Sequence, residues 1–278
     1  MASARLPRLC SVGGAVVDHY PDLGLAFPGG NAPNVAVHAA RSGAAAAFLG
    51  VAGDDPAGRL IRESLEAEGV EVSRLTAVCG ITPTVTVRRD EAGEFRCIAC
   101  PRQFLPFEPG ADAAEYLAGF DLVHLASTSR ADAVVAAWAE RLPLSYDFAG
   151  GPDAAAAALL PLVTFAALSR PAMGEAEAAR LAVGLQSRGP RLVVVTRGAA
   201  GATVCLQGEV HHEPAAASSA IDTLGAGDAL LAHLAVRLLW GDGPAAALAG
   251  AARYAARTCG HPGGFGHERP AAEILPLC

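Results

Sequence analysis

Short apolar segments alternate with helical ones along most of this chain, and that alternation is what most narrows the folds open to it. Leu9 to Val17 reads as a buried, glycine-broken strand, and a glycine turn at 29–30 then opens a helix that stops near Gly43. A-F-L-G-V-A-G reads as the next strand, and D-D-P-A-G-R-L-I-R-E-S-L-E-A-E-G as a helix with Pro56 in its first turn and Gly69 at its end. The pattern resumes at 121: strands D-L-V-H-L-A, L-S-Y-D-F-A, L-V-T-F-A-A-L and R-L-V-V-V-T, with helices at 131–140, 153–160 and 173–188. Short strands at 202–206 and 209–212 and alanine-rich helices near 226–240 and 244–258 complete it. Strands this continuously apolar belong to a sheet covered on both faces, so the expected fold is a three-layer α/β arrangement with a mostly parallel sheet. The stretch 82–100 breaks the rhythm: T-P-T-V-T-V-R-R, a D-E-A-G-E turn and F-R-C-I-A-C have the pattern of a β-hairpin. With 15–28 it reads as an appended β element on one domain spanning 1–278, with no repeat and no long linker.

Composition excludes several chemistries. The 28 acidic and 21 basic residues leave a net charge of −7, and every basic residue is arginine. Without lysine there is no Walker A loop, no protein-kinase V-A-I-K and no Schiff base. Any phosphate must be handled by arginine, metal ions or backbone N–H groups. The acidic balance argues against nucleic acid or an anionic membrane as partner. The longest apolar run, 154–168, is interrupted by Pro161, and the N-terminus has no apolar leader core, so a cytoplasmic location is expected. Cys97 and Cys100 have C-x-x-C spacing inside a strand-like run, where residues three apart face opposite sides, and read as reduced thiols.

The most specific stretch is I-D-T-L-G-A-G-D-A-L-L-A-H-L, 221–234. Gly225, Ala226 and Gly227 are small enough to let an anion reach the backbone. The helix starting there has unpaired N–H groups and the positive end of its dipole, which suits phosphate without lysine. Asp228 in the first turn sits beside that site. A carboxylate on an anion site makes chemical sense as a general base, taking a proton from an alcohol while the N–H groups hold a transferring phosphoryl group.

D-T-L-G-A-G-D resembles the C-terminal signature of the PfkB (ribokinase-like) carbohydrate kinases, and G-G-N-A-P-N-V-A-V-H-A-A-R-S-G with G-D-D-P-A-G resembles the N-terminal one. The resemblance covers essentially the whole chain. It implies a ribokinase-like α/β/α fold, ATP with Mg²⁺, a small sugar as substrate and a β lid formed by about 15–28 and 82–100. Relatives often dimerise through the lid, so a homodimer is expected. Y-P-D-L-G-L-A-F-P-G-G-N-A-P-N-V-A-V-H, G-I-T-P-T, D-L-V-H, S-Y-D-F-A and A-A-R-T-C-G-H-P-G-G-F-G-H are further similar to bacterial fructoselysine 6-kinases. Fructokinase, ribokinase, a keto-deoxy-sugar kinase or a nucleoside kinase are the alternatives, and a non-catalytic sugar- or nucleotide-binding relative is the reading from another class.

The resemblance makes Asp228 the base and Gly225, Ala226 and Gly227 the anion hole. Asp222 either caps the turn or lies near a potassium site. Asp18 falls where the family places an aspartate on sugar hydroxyls, and Gly30, Asn31 and Asn34 match the sugar-binding signature. Asn31 could equally cap its helix, and many relatives have lysine there. Glu175 aligns with the glutamate of an N-x-x-E motif that organises magnesium, but Ala172 replaces the asparagine. Thr196, Arg197 and Gly198 match a T-x-G at the nucleotide, where Arg197 either meets phosphates or is solvated. The adenine is expected against the last helices and the 258–264 loop. Arg102 and Arg130 near the mouth of the sugar site could clamp the carboxylate of an amino-acid adduct. The histidines, His124, His38 and His233 among them, show no metal-ligand spacing and read as structural.

Overall fold

The computed structural model describes residues 5–91, 95–100, 104–129, 131–151 and 156–275. The chain opens with β1 (Arg8–Gly14), turns at Ala15 into a hairpin of β2 (Val16–Tyr20) and β3 (Leu25–Gly29), and enters α1 (Asn31–Arg41). β4 (Ala45–Gly53), α2 (Pro56–Ala67) and β5 (Glu71–Val78) follow, then a second hairpin, β6 (Thr84–Arg89) and β7 (Phe95–Ala99). After α3 (Ala113–Leu117) come β8 (Leu122–Ala126), α4 (Asp132–Ala139), β9 (Leu144–Asp147), a 3-10 turn (Ala156–Leu162), β10 (Phe165–Ser169), α5 (Glu175–Gln186) and β11 (Leu192–Thr196). The chain closes through β12 (Ala202–Leu206), β13 (Glu209–Glu213), α6 (Ala226–Leu239), α7 (Pro244–Thr258), β14 (Arg269–Pro270) and α8 (Ala271–Ile274).

Among the described residues, nine strands form the main sheet in the order β13-β12-β11-β10-β9-β8-β1-β4-β5. β12 pairs antiparallel to β11 and to β13, while the pairs from β11 to β5 are parallel. Side chains alternate across it: Leu192 and Val194 pack with α6 and α7, whereas Val193 and Val195 pack with α5 on the other face. That two-sided burial is why the strands read as unbroken apolar runs. α1 and α2 share the face of α6, and α3 and α4 share the face of α5. The result is the expected three-layer α/β/α fold. Among the described residues no helix is long and apolar enough to cross a membrane.

A five-stranded sheet, β14-β3-β2-β6-β7, leaves the C-terminal end of β1. Its small core is Tyr20, Phe27, Val87 and Phe95, with the Tyr20 ring edge-on to both phenylalanines at 5.0 Å. Leu224 packs against this core, so the second sheet leans on the glycine turn.

Three features differ from the expectation. Residues 71–78, unassigned from the sequence, form β5 at the edge of the main sheet, where only one side of the strand has to be buried. In place of a helix at 153–160 there is a 3-10 turn over Ala156–Leu162 that holds Pro161, and 152–155 lie outside the described residues. Cys97 and Cys100 do not face opposite sides: their Sγ atoms are 3.2 Å apart. The register of β6 and β7 shifts between Thr86 and Val87, and the extra residue opposite that step resets the alternation.

Candidate active site

The parallel strands all end at one edge of the main sheet, the edge where ligands of such folds bind. The loop before α6 lies there. Gly225 is its N-cap with φ +76°, a left-handed conformation that favours glycine. An added Cβ at Gly225 would also lie 3.0 Å from Gly264 Cα. The Ala226 N–H donates to the Thr223 carbonyl at 3.2 Å, so the N–H groups of Gly227 and Asp228 are the ones left at the open end of the helix. A Cβ at Gly227 would meet open space.

Asp228 is partly buried in the first turn of α6 and is held by two amides of α1. Asn34 Nδ2 donates to one oxygen at 2.7 Å and Asn31 Nδ2 to the other at 2.8 Å. The three-residue spacing puts both amides on one side of the helix start. The N-cap of α1 is Gly30, so Asn31 does not cap it. Its amide instead bridges Asp228 to Asp147 at the end of β9, 3.1 Å away. Burial pushes the Asp228 carboxyl up to about 7, the Asn34 amide opposes this, Asp147 adds to it and Asn31 opposes it. The carboxyl of Asp147 is also raised, mainly by burial, against its bonds from the Ala149 N–H and Asn31.

Asp18, on β2, is buried, and its carboxyl is pushed up to about 7 by burial, then by Asp222 and Asp228. An added Cβ on Gly29 would lie 2.0 Å from an Asp18 oxygen, so glycine there makes room for the carboxylate. Asp222 accepts from the Leu224 N–H at 2.9 Å on one oxygen, and from Tyr20 Oη at 2.6 Å and the Gly263 N–H at 2.9 Å on the other. It caps the glycine turn and ties it to the second sheet and to the 258–264 loop. His38 bonds the Gly264 carbonyl of the same loop at 3.0 Å.

Thr196 ends β11, and Gly198 follows at φ +58°. Arg197 is 5% exposed, and its Nε is buried without a partner. Its guanidinium lies 3.7 Å from Glu175, whose side chain is 60% exposed at the start of α5. Ala172 lines a cleft of about 380 Å³ with Ser169, Arg170 and Met173 at the end of β10. A second cleft, of about 400 Å³, lies between Ala216–Ser219 and Arg253, Arg257 and Gly260. The N–H groups of Ile221 and Asp222 both donate to the Cys259 carbonyl, which joins this cleft to the glycine turn. Arg102 and Arg130 lie outside the described residues.

Two residues of this network are not assigned to the site from the sequence. His124 contacts Asn31 at 2.9 Å, so it is part of the site, not merely of the core. Asp147 meets the site from a strand end in S-Y-D-F-A. Its position as a carboxylate closing a buried parallel strand is the signal that could have found it.

The chain matches the pfkB family of carbohydrate kinases over residues 19–150 and 163–268. It is 32% identical over 270 residues to a fructosamine kinase of Bacillus subtilis, covering 95% of this chain and 94% of the relative. It is 30% identical over 230 residues to a fructoselysine 6-kinase of Escherichia coli, covering 82% and 87%. A ribokinase of Arabidopsis thaliana, solved with ribose and ATP, superposes with a TM-score of 0.78 over 93% of this chain and 94% of that one, at 22% identity.

Proposed function

The chain belongs to the pfkB family and is a carbohydrate kinase, and we propose that it transfers the γ-phosphoryl of ATP to the 6-hydroxyl of a fructosamine such as fructoselysine. Similarity over most of the chain to a fructosamine kinase and a fructoselysine 6-kinase supports that choice of sugar. The observation that carries the chemistry is Asp228, a carboxylate clamped by two amides at the open N-terminus of α6.

The residues fit a nucleotide phosphate. The Gly227 and Asp228 N–H groups are open to it, and a buried guanidinium, Arg197, has an unpartnered Nε. Bound ATP with Mg²⁺ supplies the phosphoryl group and neutralises part of its charge. Asp228 accepts the proton of the attacking hydroxyl. The N–H groups of the glycine turn stabilise the charge that develops on the phosphoryl oxygens. Asp18 orients the sugar by accepting from its hydroxyls, and Gly30 lets the chain turn beside it. Thr196, Arg197 and Gly198 receive the nucleotide at the end of β11, with its base in the cleft beside Arg253 and Arg257. Glu175, exposed and only loosely paired, is the group to organise Mg²⁺. The three donors on Asp222 make it a cap of the turn, and no step is assigned to potassium. The second sheet acts as a lid that excludes water from the reacting hydroxyl, and as the surface through which two chains pair.

The test is a coupled ADP-release assay with fructoselysine, fructose, ribose, a keto-deoxy sugar and a nucleoside. Fructoselysine is expected to give the highest kcat/KM. Asp228→Asn is expected to lower kcat by about 10²–10⁴-fold, the usual worth of a general base. A preference for another sugar overturns the substrate, and an unchanged rate in Asp228→Asn overturns the base.

A further inference from the structure

We infer that His124 is a positioning residue for the general base, a neutral imidazole that holds the Asn31 amide with its N–H side on Asp228. The inference rests on the reading of Asp228 as the base.

His124 stands in the middle of β8, on one of the central strands of the main sheet, and is 1% exposed. A polar ring at such a level is unfavourable unless both nitrogens are bonded. Both are: Nδ1 lies 3.1 Å from Ser145 Oγ on the neighbouring strand, and Nε2 lies 2.9 Å from Asn31 Oδ1. Ser145 is its register partner on β9, and Ser11, also buried, is its register partner on β1. Three adjacent central strands therefore carry a buried polar level beneath the start of α1.

With Asp228 and Asp147 ionised, the donors and acceptors of this series follow in order. Asn31 Nδ2 faces two carboxylates, Asp228 at 2.8 Å and Asp147 at 3.1 Å. Carboxylates accept, so this atom is the NH₂ and the opposite one is the carbonyl oxygen. The carbonyl needs a donor, so His124 carries its proton on Nε2. Its Nδ1 is then an acceptor and takes the Ser145 hydroxyl proton. Burial holds the imidazole down at about 3, so it stays neutral wherever the enzyme works. The sequence of donations runs Ser145 to His124 to Asn31 to Asp228.

Without the His124 N–H, nothing on that side distinguishes the two ends of the amide. A flipped Asn31 would turn its oxygen toward two carboxylates. Asp228 would lose one of its two amide donors, and its ionised form would be less favoured. The titratable groups that act on Asp228 are Asp147 on β9 and Asp18 on β2, with Asp222 in the turn before α6 acting on Asp18 and His124 on β8 reaching Asp228 through Asn31. All but His124 are carboxyls, so each lost N–H raises the base further.

The test is the pH profile of kcat in the full chain for His124→Met, His124→Gln and Ser145→Ala, beside Asp228→Asn. His124→Met removes the donor and is expected to move the acidic limb up by about one pH unit, with about a fivefold loss of kcat at pH 7. His124→Gln places an amide N–H near the lost Nε2–H and is expected to return the limb toward the parent value. Ser145→Ala frees the tautomer and is expected to give a smaller shift in the same direction. A uniform loss of kcat in His124→Met with an unmoved limb overturns the inference, because that is what a packing role would do. If His124→Met does not fold, long-range ¹H–¹⁵N NMR of the parent chain decides. A neutral Nε2–H tautomer from pH 5 to 9 is expected, and an Nδ1–H tautomer or an imidazolium overturns the inference. If Asp228→Asn keeps the parent rate, it is the assignment of the base that fails.

Discussion

Asp18 shows what this site demands of single residues. It is a carboxyl pushed up to about 7 by burial and by neighbouring carboxylates, against about 4 in an unfolded chain. The folded chain therefore binds its proton more tightly. Stability falls as pH rises from about 4 to 7, and the full penalty is present above 7. Asp18→Asn removes the penalty, so its melting temperature at pH 8 is expected to exceed the parent value by on the order of 5 °C. The gap should close near pH 4, and KM for the sugar should rise. Calorimetric melting at the two pH values checks it, and a lower melting temperature at pH 8 would refute the account. Gly264 makes a second demand. A methyl there would lie 2.5 Å from Asn34 Oδ1, and Asn34 is tied to Asp228. Gly264→Ala is expected to leave the fold intact and to lower kcat several-fold at pH 7, since losing the Asn34 donor disfavours the ionised form of Asp228; steady-state kinetics with circular dichroism reads both. The glycine turn and Asp228 are legible in the sequence because their chemistry is local, a small-residue turn at a helix start. His124 and Asp147 are not, because their partners come from other strands and only folding brings them to Asn31.

At the scale of elements, the strand–helix alternation is legible because each buried strand must satisfy two faces. The misses fall where one face is free. β5 is an edge strand, and the bulge in β7 is set by its pairing with β6, which no local pattern encodes. Asp55 shows how one residue joins elements that a sequence reading keeps apart. It is the N-cap of α2, accepting from the Gly58 N–H at 2.7 Å. Its carboxylate also takes the Thr82 N–H at 2.8 Å and the Thr82 hydroxyl at 2.7 Å, fixing the turn that feeds β6. An N-cap lost to alanine costs about 1 kcal/mol. Asp55→Ala also strands the Thr82 groups, so about 2–3 kcal/mol is expected. Denaturant unfolding should show the lower midpoint, and rising KM for the sugar should accompany it, because β6 pairs with β2 next to Asp18. A midpoint within about 0.5 kcal/mol of the parent, the range of ordinary surface substitutions, would contradict this.

For the whole molecule, the second sheet is the unfinished part. A closed barrel has no free edge, but β7 lies at one end of the order β14-β3-β2-β6-β7. An exposed edge strand offers unpaired N–H and C=O groups to another chain, and proteins usually blunt or cover it. Here the two most exposed large apolar side chains among the described residues, Ile98 at 59% and Ile81 at 61%, lie in β7 and in the segment leading into β6. Apolar exposure on an open edge favours pairing with a second copy, and a two-fold pair of identical edges is the simplest closed arrangement. Covering this edge would also hold β6 and β2, and with them Asp18, in one position. A dimer is therefore expected by multi-angle light scattering at micromolar concentration. Ile98→Asp places a charge on the shared edge and is expected to give monomers with a raised KM, while Asp228→Asn, far from the edge in sequence and seated on α6, stays dimeric. A parent chain that runs as a monomer, or an Ile98→Asp variant that remains dimeric, would show that the lid closes without a partner.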